Sequence, residues 1–279
     1  MRVLLIAHFF GAGAALDAYY IASGVVRLFV SPGTSAFNAS ALPELEHCTD
    51  SQKSADLAAA LWWITLASCI LIAAILAFTS GTIIKLLAPG FEPERLALGK
   101  TMTLWLIPYT FAILMRKPYE VWALHQSHYT LPFLWDATFN FFAIPALLLL
   151  VSYLGPFSVP ATMSLGYVSL LIVASLTTPF PYLPKSWPWR ELVNVGWGFI
   201  LCLGLVGAGA LYEVTDRFFA SMLPIGSVAS LSYALTLFHI PGAIFAPSLL
   251  LYLTKACRSA AIDHQTAERE LKLTLALVY

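Results

Sequence analysis

The sequence predicts an all-α polytopic membrane protein with about seven to eight transmembrane helices, on the strength of its composition and its long uncharged stretches. Of its 279 residues, 59% are apolar and only 11% are Asp, Glu, Lys or Arg, whereas roughly a quarter of an average soluble domain is charged. With a mean hydropathy of +0.78, the chain carries more apolar surface than one globular core of its size could bury. Much of that surface is therefore expected to contact lipid.

The first predicted helices follow from stretches that approach the roughly 20 residues needed to cross a bilayer. Residues 17–42 form a weaker span, because Arg27 and Ser31-Pro32-Gly33 interrupt it. Residues 57–84 form a long one. The short run 101–115 becomes a full span if the helix continues to Leu124, with Arg116 and Lys117 snorkelling at its end.

The second half of the chain holds the remaining spans. Residues 137–184 are too long for one span, and Gly155, Pro156 and Pro160 predict a turn between two helices. Residues 192–212 form the next span, and residues 218–254 hold another after a turn at Pro224-Ile225-Gly226. The apolar runs 1–10 and 271–279 are expected to be incomplete helices of a fragment, although residues 1–15 could alternatively be a signal peptide.

Charge and cysteine usage exclude several classes of protein. The formal net charge is zero, so no basic field exists to bind nucleic acid. The four cysteines lie far apart and predict neither a metal site nor disulfides. Because the short loops contain no recognisable catalytic motif, we expect no enzyme activity and no cofactor.

Loop charges predict the orientation. The basic residues at 116–117, 185–190 and 255–272 are each separated by two spans and thus share one side of the membrane. Lys and Arg concentrate in cytoplasmic loops. We therefore place these loops inside and the 85–100 loop outside.

Ionisable residues within the spans are the candidates for function, because a charge in hydrocarbon normally faces a partner or a cavity. Asp17, with Arg2 and Arg27 nearby in sequence, could form a polar pocket that meets an anionic head group. The alternative is that these residues anchor helix ends at the interface.

Further along the chain, Asp216 and Arg217 follow Glu213 at a helix end and are possible accessory residues, with an interfacial ion cluster as the alternative. His239, two residues before Pro241, could line a pathway in a kinked helix or be a buried histidine with satisfied hydrogen bonds.

Several strings occur in an order and spacing that resemble the MurJ (MviN-type) lipid II flippases, within the multidrug/oligosaccharidyl-lipid/polysaccharide exporter superfamily. They are Phe10-Gly11-Ala12-Gly13, Leu16-Asp17-Ala18-Tyr19-Tyr20, Ala88-Pro89-Gly90-Phe91, Ile107-Pro108-Tyr109, Ala220-Ser221, Gly226-Ser227-Val228, Tyr233-Ala234 and Pro241-Gly242.

The resemblance implies two helical lobes around a central cavity, with residues 1–184 as the first lobe, its first helix truncated, and 185–279 as the start of the second. It implies a multi-pass protein of the bacterial cytoplasmic (inner) membrane that flips a peptidoglycan precursor carried on undecaprenyl pyrophosphate. By position, Arg2, Asp17 and Arg27 correspond to cavity residues that bind this substrate. Membrane lipids and the lipid-linked oligosaccharide are the implied partners.

The sequence also departs from the family pattern. Only Arg27 stands where the family has two arginines, Ser31 or Pro32 replaces an acidic residue, and Leu235-Thr236 replaces Asp-Arg. Fewer cations for a pyrophosphate predict weak or absent flipping. The alternatives are a non-transporting scaffold in cell-envelope synthesis and, less favoured, a membrane-embedded transferase.

Overall fold

A computed structural model describes residues 2–48 and 50–239, and within these ranges all regular structure is helical. The helices are α1 (Arg2–Phe10), α2 (Ala14–His47), α3 (Ser51–Leu87), α4 (Pro93–Trp105), α5 (Ile107–His125), α6 (Leu131–Leu154), α7 (Ser158–Thr177), α8 (Trp189–Ser221) and α9 (227–239), with a 3-10 turn at Gly155–Phe157 between α6 and α7. The all-α prediction is confirmed for this part of the chain.

The chain divides into two compact units, residues 1–231 and residues 232–279. The first unit contains α1 to α8 and the first turn of α9. In the second unit, the described residues 232–239 are helical. The predicted lobe boundary at residues 184 and 185 stays a prediction.

Helix α2 runs through the sequence that was expected to interrupt it. Pro32 and Pro43 both lie inside this 34-residue helix. Proline removes one backbone hydrogen bond, but side-chain hydroxyls and neighbouring helices compensate in membrane proteins. Here α2 packs against α3, α4, α5 and α8, and this packing keeps the helix continuous.

The predicted turn between two helices in residues 137–184 is present. Helix α6 ends at Leu154, and Gly155 takes a left-handed conformation with φ +52°, which favours glycine because it has no Cβ. Pro156 starts the 3-10 turn, and Pro160 lies in the first turn of α7. As a result, α6 and α7 pack side by side.

Within residues 2–48 and 50–239, five helical stretches are long and apolar enough to cross a membrane: Ala14–His47, Ser51–Leu87, Pro93–His125, Leu131–Thr177 and Trp189–Ser221. The fourth stretch contains the turn between α6 and α7. Large apolar side chains remain exposed on them, including Phe78 at 89% and Leu205 at 81%. Such continuous exposure is typical of a surface that contacts lipid. The predicted span 218–254 lies partly outside the described residues.

One buried cluster joins the helices at the end where α3 begins and α5 ends. It contains at least one buried residue from each of five helices: Leu45, Leu57, Trp122, Trp135 and Leu170. Helix α8 packs along α2. This contact brings together charged residues that lie far apart in sequence.

Candidate functional site

Asp17, in the first turn of α2, is buried against the start of α9. Its carboxylate accepts hydrogen bonds from the backbone N–H groups of Gly226 at 2.6 Å and Ala229 at 2.8 Å. Nη1 of Arg95 lies 3.9 Å from the same carboxylate. The first N–H groups of a helix lack intrahelical partners and attract negative charge. Asp17 therefore acts as an N-terminal cap of α9 supplied by another helix.

The backbone around this cap depends on two glycines. Gly226 has φ +94°, and a Cβ there would overlap the carbonyl oxygen of Ala12. A Cβ at Gly90 would overlap the backbone of Ser221. Both glycines let chain segments approach more closely than any side chain would permit. The turns at 11–13, 88–92 and 222–226 can therefore meet around Asp17.

A second charged group, which we call the arginine pair, joins α2 to α8 and consists of Arg27, Arg217 and the carboxylate of Glu213 between them. Nη1 of Arg27 lies 2.6 Å from Oε1 of Glu213, and Nη2 of Arg217 lies 3.1 Å from the same oxygen. Two guanidinium groups share one carboxylate, so the group carries one excess positive charge. The side chain of Arg27 is 49% exposed.

The two arginines differ in their surroundings. Arg217 is only 4% exposed, and its Nη1 lies 2.8 Å from the position that a Cβ on Gly24 would take, which is too close for a side chain there. Among the described residues, its Nε and Nη1 have no hydrogen-bond partner. Gly24 thus makes room for a buried cation, and Arg217 keeps donors that its packing leaves unused.

The predicted substrate-binding residues do not form one contact group in the structure. Asp17 and Arg27 are ten residues apart on α2, which corresponds to about 15 Å along the axis, and each has its own partners. Arg2 begins α1, but its side chain lies outside the described residues. Their predicted role in binding substrate stays a prediction.

The predicted accessory residues are divided as well. Arg217 joins Arg27 through Glu213, whereas Asp216 is half-buried beside it in sequence. His239 is exposed in the part of the chain that the structure describes, and its Nδ1 lies 2.6 Å from the carbonyl oxygen of Leu235; its role as an accessory residue stays a prediction. The predicted kink at Pro241 lies outside the described residues.

The prediction that Arg116 and Lys117 snorkel at a helix end is wrong, because both side chains are buried in a third charged group. Both residues are 8% exposed. Arg116 pairs with Asp136 of α6 at 2.9 Å and Lys117 with Glu120 at 2.8 Å. The two cations can be buried because the carboxylates of Asp136 and Glu120 neutralise them. The sequence did not indicate that Asp136 of α6 would face α5.

Sequence reasoning did not find Arg95 as the partner of Asp17. It lies in the first turn of α4, near Pro93, within residues 85–100, which were predicted from the sequence to be a loop. Its guanidinium lies over the ring of Phe91, 4.7 Å from the ring centre. The closeness of Phe91 and Arg95 in sequence was the available signal, because such cation–π pairs often keep an arginine in place.

Comparisons with known proteins agree with this architecture. A probable lipid II flippase MurJ from Aquifex aeolicus (strain VF5) is 25% identical over 99% of this chain. A solved structure of the lipid II flippase MurJ in an inward closed conformation matches 98% of the chain with a TM-score of 0.74 and 20% identity. The chain spans 56% and 58% of the lengths of these two proteins.

The family model described as lipid II flippase MurJ matches residues 6–278, which is nearly the whole chain and far more than the strings that carried the resemblance. The chain therefore belongs to the MurJ family of lipid II flippases.

Proposed function

We propose that this chain takes part in moving a lipid-linked cell-wall precursor across the bacterial cytoplasmic membrane, as a multi-pass protein without catalytic activity. The observation that carries the proposal is the arginine pair, whose excess positive charge lies on two membrane-spanning helices. We infer that it binds the pyrophosphate of the precursor.

The geometry of the pair suits an anion. Arginine presents five donors in a planar fork that matches phosphate oxygens. Arg27 uses Nη1 for Glu213 and is half-exposed, whereas Arg217 is buried and donates from Nη2 to the same carboxylate oxygen. A pyrophosphate that competes with Glu213 would meet both guanidinium groups.

The cap of α9 by Asp17 supports the transport part of the proposal. Alternating access requires helices that separate at one side of the membrane while they close at the other. The cap joins α2 to α9 through hydrogen bonds to backbone N–H groups. We infer that this contact closes the side of the protein that the loop charges place outside.

Binding of undecaprenyl pyrophosphate to the purified chain in lipid nanodiscs, measured by native mass spectrometry, tests the proposal. A hydrogen bond to a charged group contributes about 1.5–3 kcal/mol. We therefore expect Arg27→Gln to weaken binding roughly 10- to 150-fold. The matched control is Lys53→Gln, which removes an exposed cation at the start of α3 and is expected to leave the dissociation constant unchanged.

Glu213→Gln separates binding from packing. The carboxylate competes with an anionic ligand for both arginines, so its removal is expected to tighten binding. A purely structural ion pair would instead give losses of similar size in Arg27→Gln and Glu213→Gln. That result, or the absence of binding by the unmodified chain, would favour a non-transporting scaffold.

A further inference from the structure

A narrow cavity of about 460 Å³ lies among α2, α3, α5 and α8. Along α8 its wall extends from Leu192 to Leu203, and along α3 from Leu61 to Ile72. Each stretch of eleven residue steps corresponds to about 16 Å of helix. The space is therefore an elongated channel whose length runs with the membrane-spanning helices.

The wall of this cavity is suited to an apolar ligand. The hydroxyl of Thr65 donates to the carbonyl of Leu61 at 2.7 Å, and that of Ser68 donates to Ile64 at 2.8 Å. The ammonium group of Lys117 is held by both carboxylate oxygens of Glu120. Since these polar groups are engaged within their own helices, they offer little to a hydrophilic molecule.

The cavity is continuous with the surface that contacts lipid. Ile64 of α3 and Leu203 of α8 line it, yet they are 44% and 38% exposed. Both residues therefore belong to the wall of the cavity and to the exposed surface between α3 and α8. The molecules next to it in a membrane are the alkyl chains of the surrounding lipids.

The start of α8 places one end of the cavity near the head groups. Trp187 and Trp189 are exposed and stack with ring centres 5.8 Å apart, and exposed tryptophans collect at the membrane interface. Arg190, also exposed, adds a cation at this level that suits a lipid phosphate. Leu192, the first lining residue of α8, follows directly.

We propose that this cavity binds one acyl chain of a membrane phospholipid, with the phosphate at the level of Arg190. An acyl chain that enters between α3 and α8 would make dispersion contacts with the apolar side chains on every side of this cavity. The site is separate from the arginine pair and does not depend on the proposed function.

Photolabelling of the full chain in nanodiscs tests this proposal. The probe is a phosphatidylglycerol with a diazirine in the middle of one acyl chain, and adducts are located by mass spectrometry of peptides. Cys69 lines the cavity but is only 2% exposed, so an adduct on it requires a chain inside. Phe78, which is 89% exposed, reports ordinary lipid contact in the same sample.

Gly196 provides the blocking variant, because it lines the cavity and a Cβ there has open space around it. We expect Gly196→Leu to reduce labelling of Cys69 by at least about tenfold, equal to about 1.4 kcal/mol, and to leave Phe78 unchanged. Gly209→Leu is the matched control on the same helix, since it also has open space and is exposed.

Two results would overturn the proposal. One is labelling of Phe78 without labelling of Cys69 in the unmodified chain. Equal labelling of Cys69 in the unmodified chain and in Gly196→Leu would have the same meaning. The other is preferential labelling of Cys69 by a diazirine-bearing polyprenyl phosphate over the phospholipid at equal concentration, which would assign the cavity to a prenyl chain.

Discussion

Replacement of Asp17 by asparagine is expected to loosen the start of α9 without unfolding the rest of the first unit. The carboxylate is 1% exposed and accepts from two backbone N–H groups at 2.6 and 2.8 Å. Asparagine is nearly isosteric, so the cavity and packing changes are small. What changes is the charge and one of the two acceptors.

The magnitude follows from the bonds that are lost. Asparagine retains one carbonyl oxygen but presents an amide NH₂ to the second N–H group, and the guanidinium of Arg95, 3.9 Å away, loses its carboxylate. One hydrogen bond to a charged acceptor corresponds to about 1.5–3 kcal/mol. The population in which α9 is detached should therefore rise roughly 10- to 150-fold.

Thiol labelling measures this local opening. Val228 lies in the first turn of α9 and is 1% exposed, and cysteine is smaller than valine, so Val228→Cys places a buried thiol there. In a variant whose native cysteines are replaced by alanine, a maleimide modifies this thiol only when α9 opens. Addition of Asp17→Asn should raise the rate at which the maleimide modifies this thiol roughly 10- to 150-fold.

Asp50→Asn is the matched control. Asp50 is also an N-cap aspartate, and it accepts from the backbone N–H of Gln52 at 2.9 Å at the start of α3, but it is exposed and distant in sequence from α9. It should leave the labelling rate of Val228→Cys unchanged. An unchanged rate in Asp17→Asn as well would refute the view that this carboxylate holds α9.

Three other perturbations follow from local geometry. Gly226→Ala should destabilise the chain by at least about 1–3 kcal/mol, because φ is +94° there and the new Cβ would also overlap the carbonyl oxygen of Ala12. By contrast, Gly204→Ala, in open space inside α8, should stabilise the chain by about 0.5–1 kcal/mol. Thermal unfolding in detergent compares the two variants. In whole cells, an impermeant thiol reagent should modify Glu94→Cys but not Ser186→Cys, and the reverse pattern would invert the predicted orientation. Burial, followed by nearby carboxylates, raises the pKa of the Cys48 thiol, so its alkylation should be slower than that of free cysteine at neutral pH and accelerate as the pH rises through the alkaline range.

The sequence by itself determined the membrane class and the order of the spans in the described region. These properties depend on local composition: a run without charges is too apolar for water, and the positive φ of Gly155, followed by Pro156, ends α6. The same local logic placed α8 correctly. It was wrong at Pro32, because the packing of neighbouring helices holds α2 together there.

Only the tertiary structure decided which charges meet. Asp17 and Gly226 are 209 residues apart, and Arg27 and Glu213 are 186 apart, so no helical periodicity relates them. Periodicity indicates which residues share a face of one helix, but it does not say which helix covers that face. In a low-dielectric interior each buried charge must find a partner, and the packing of α2 against α8, with the turn before α9 against α2, selects the partner.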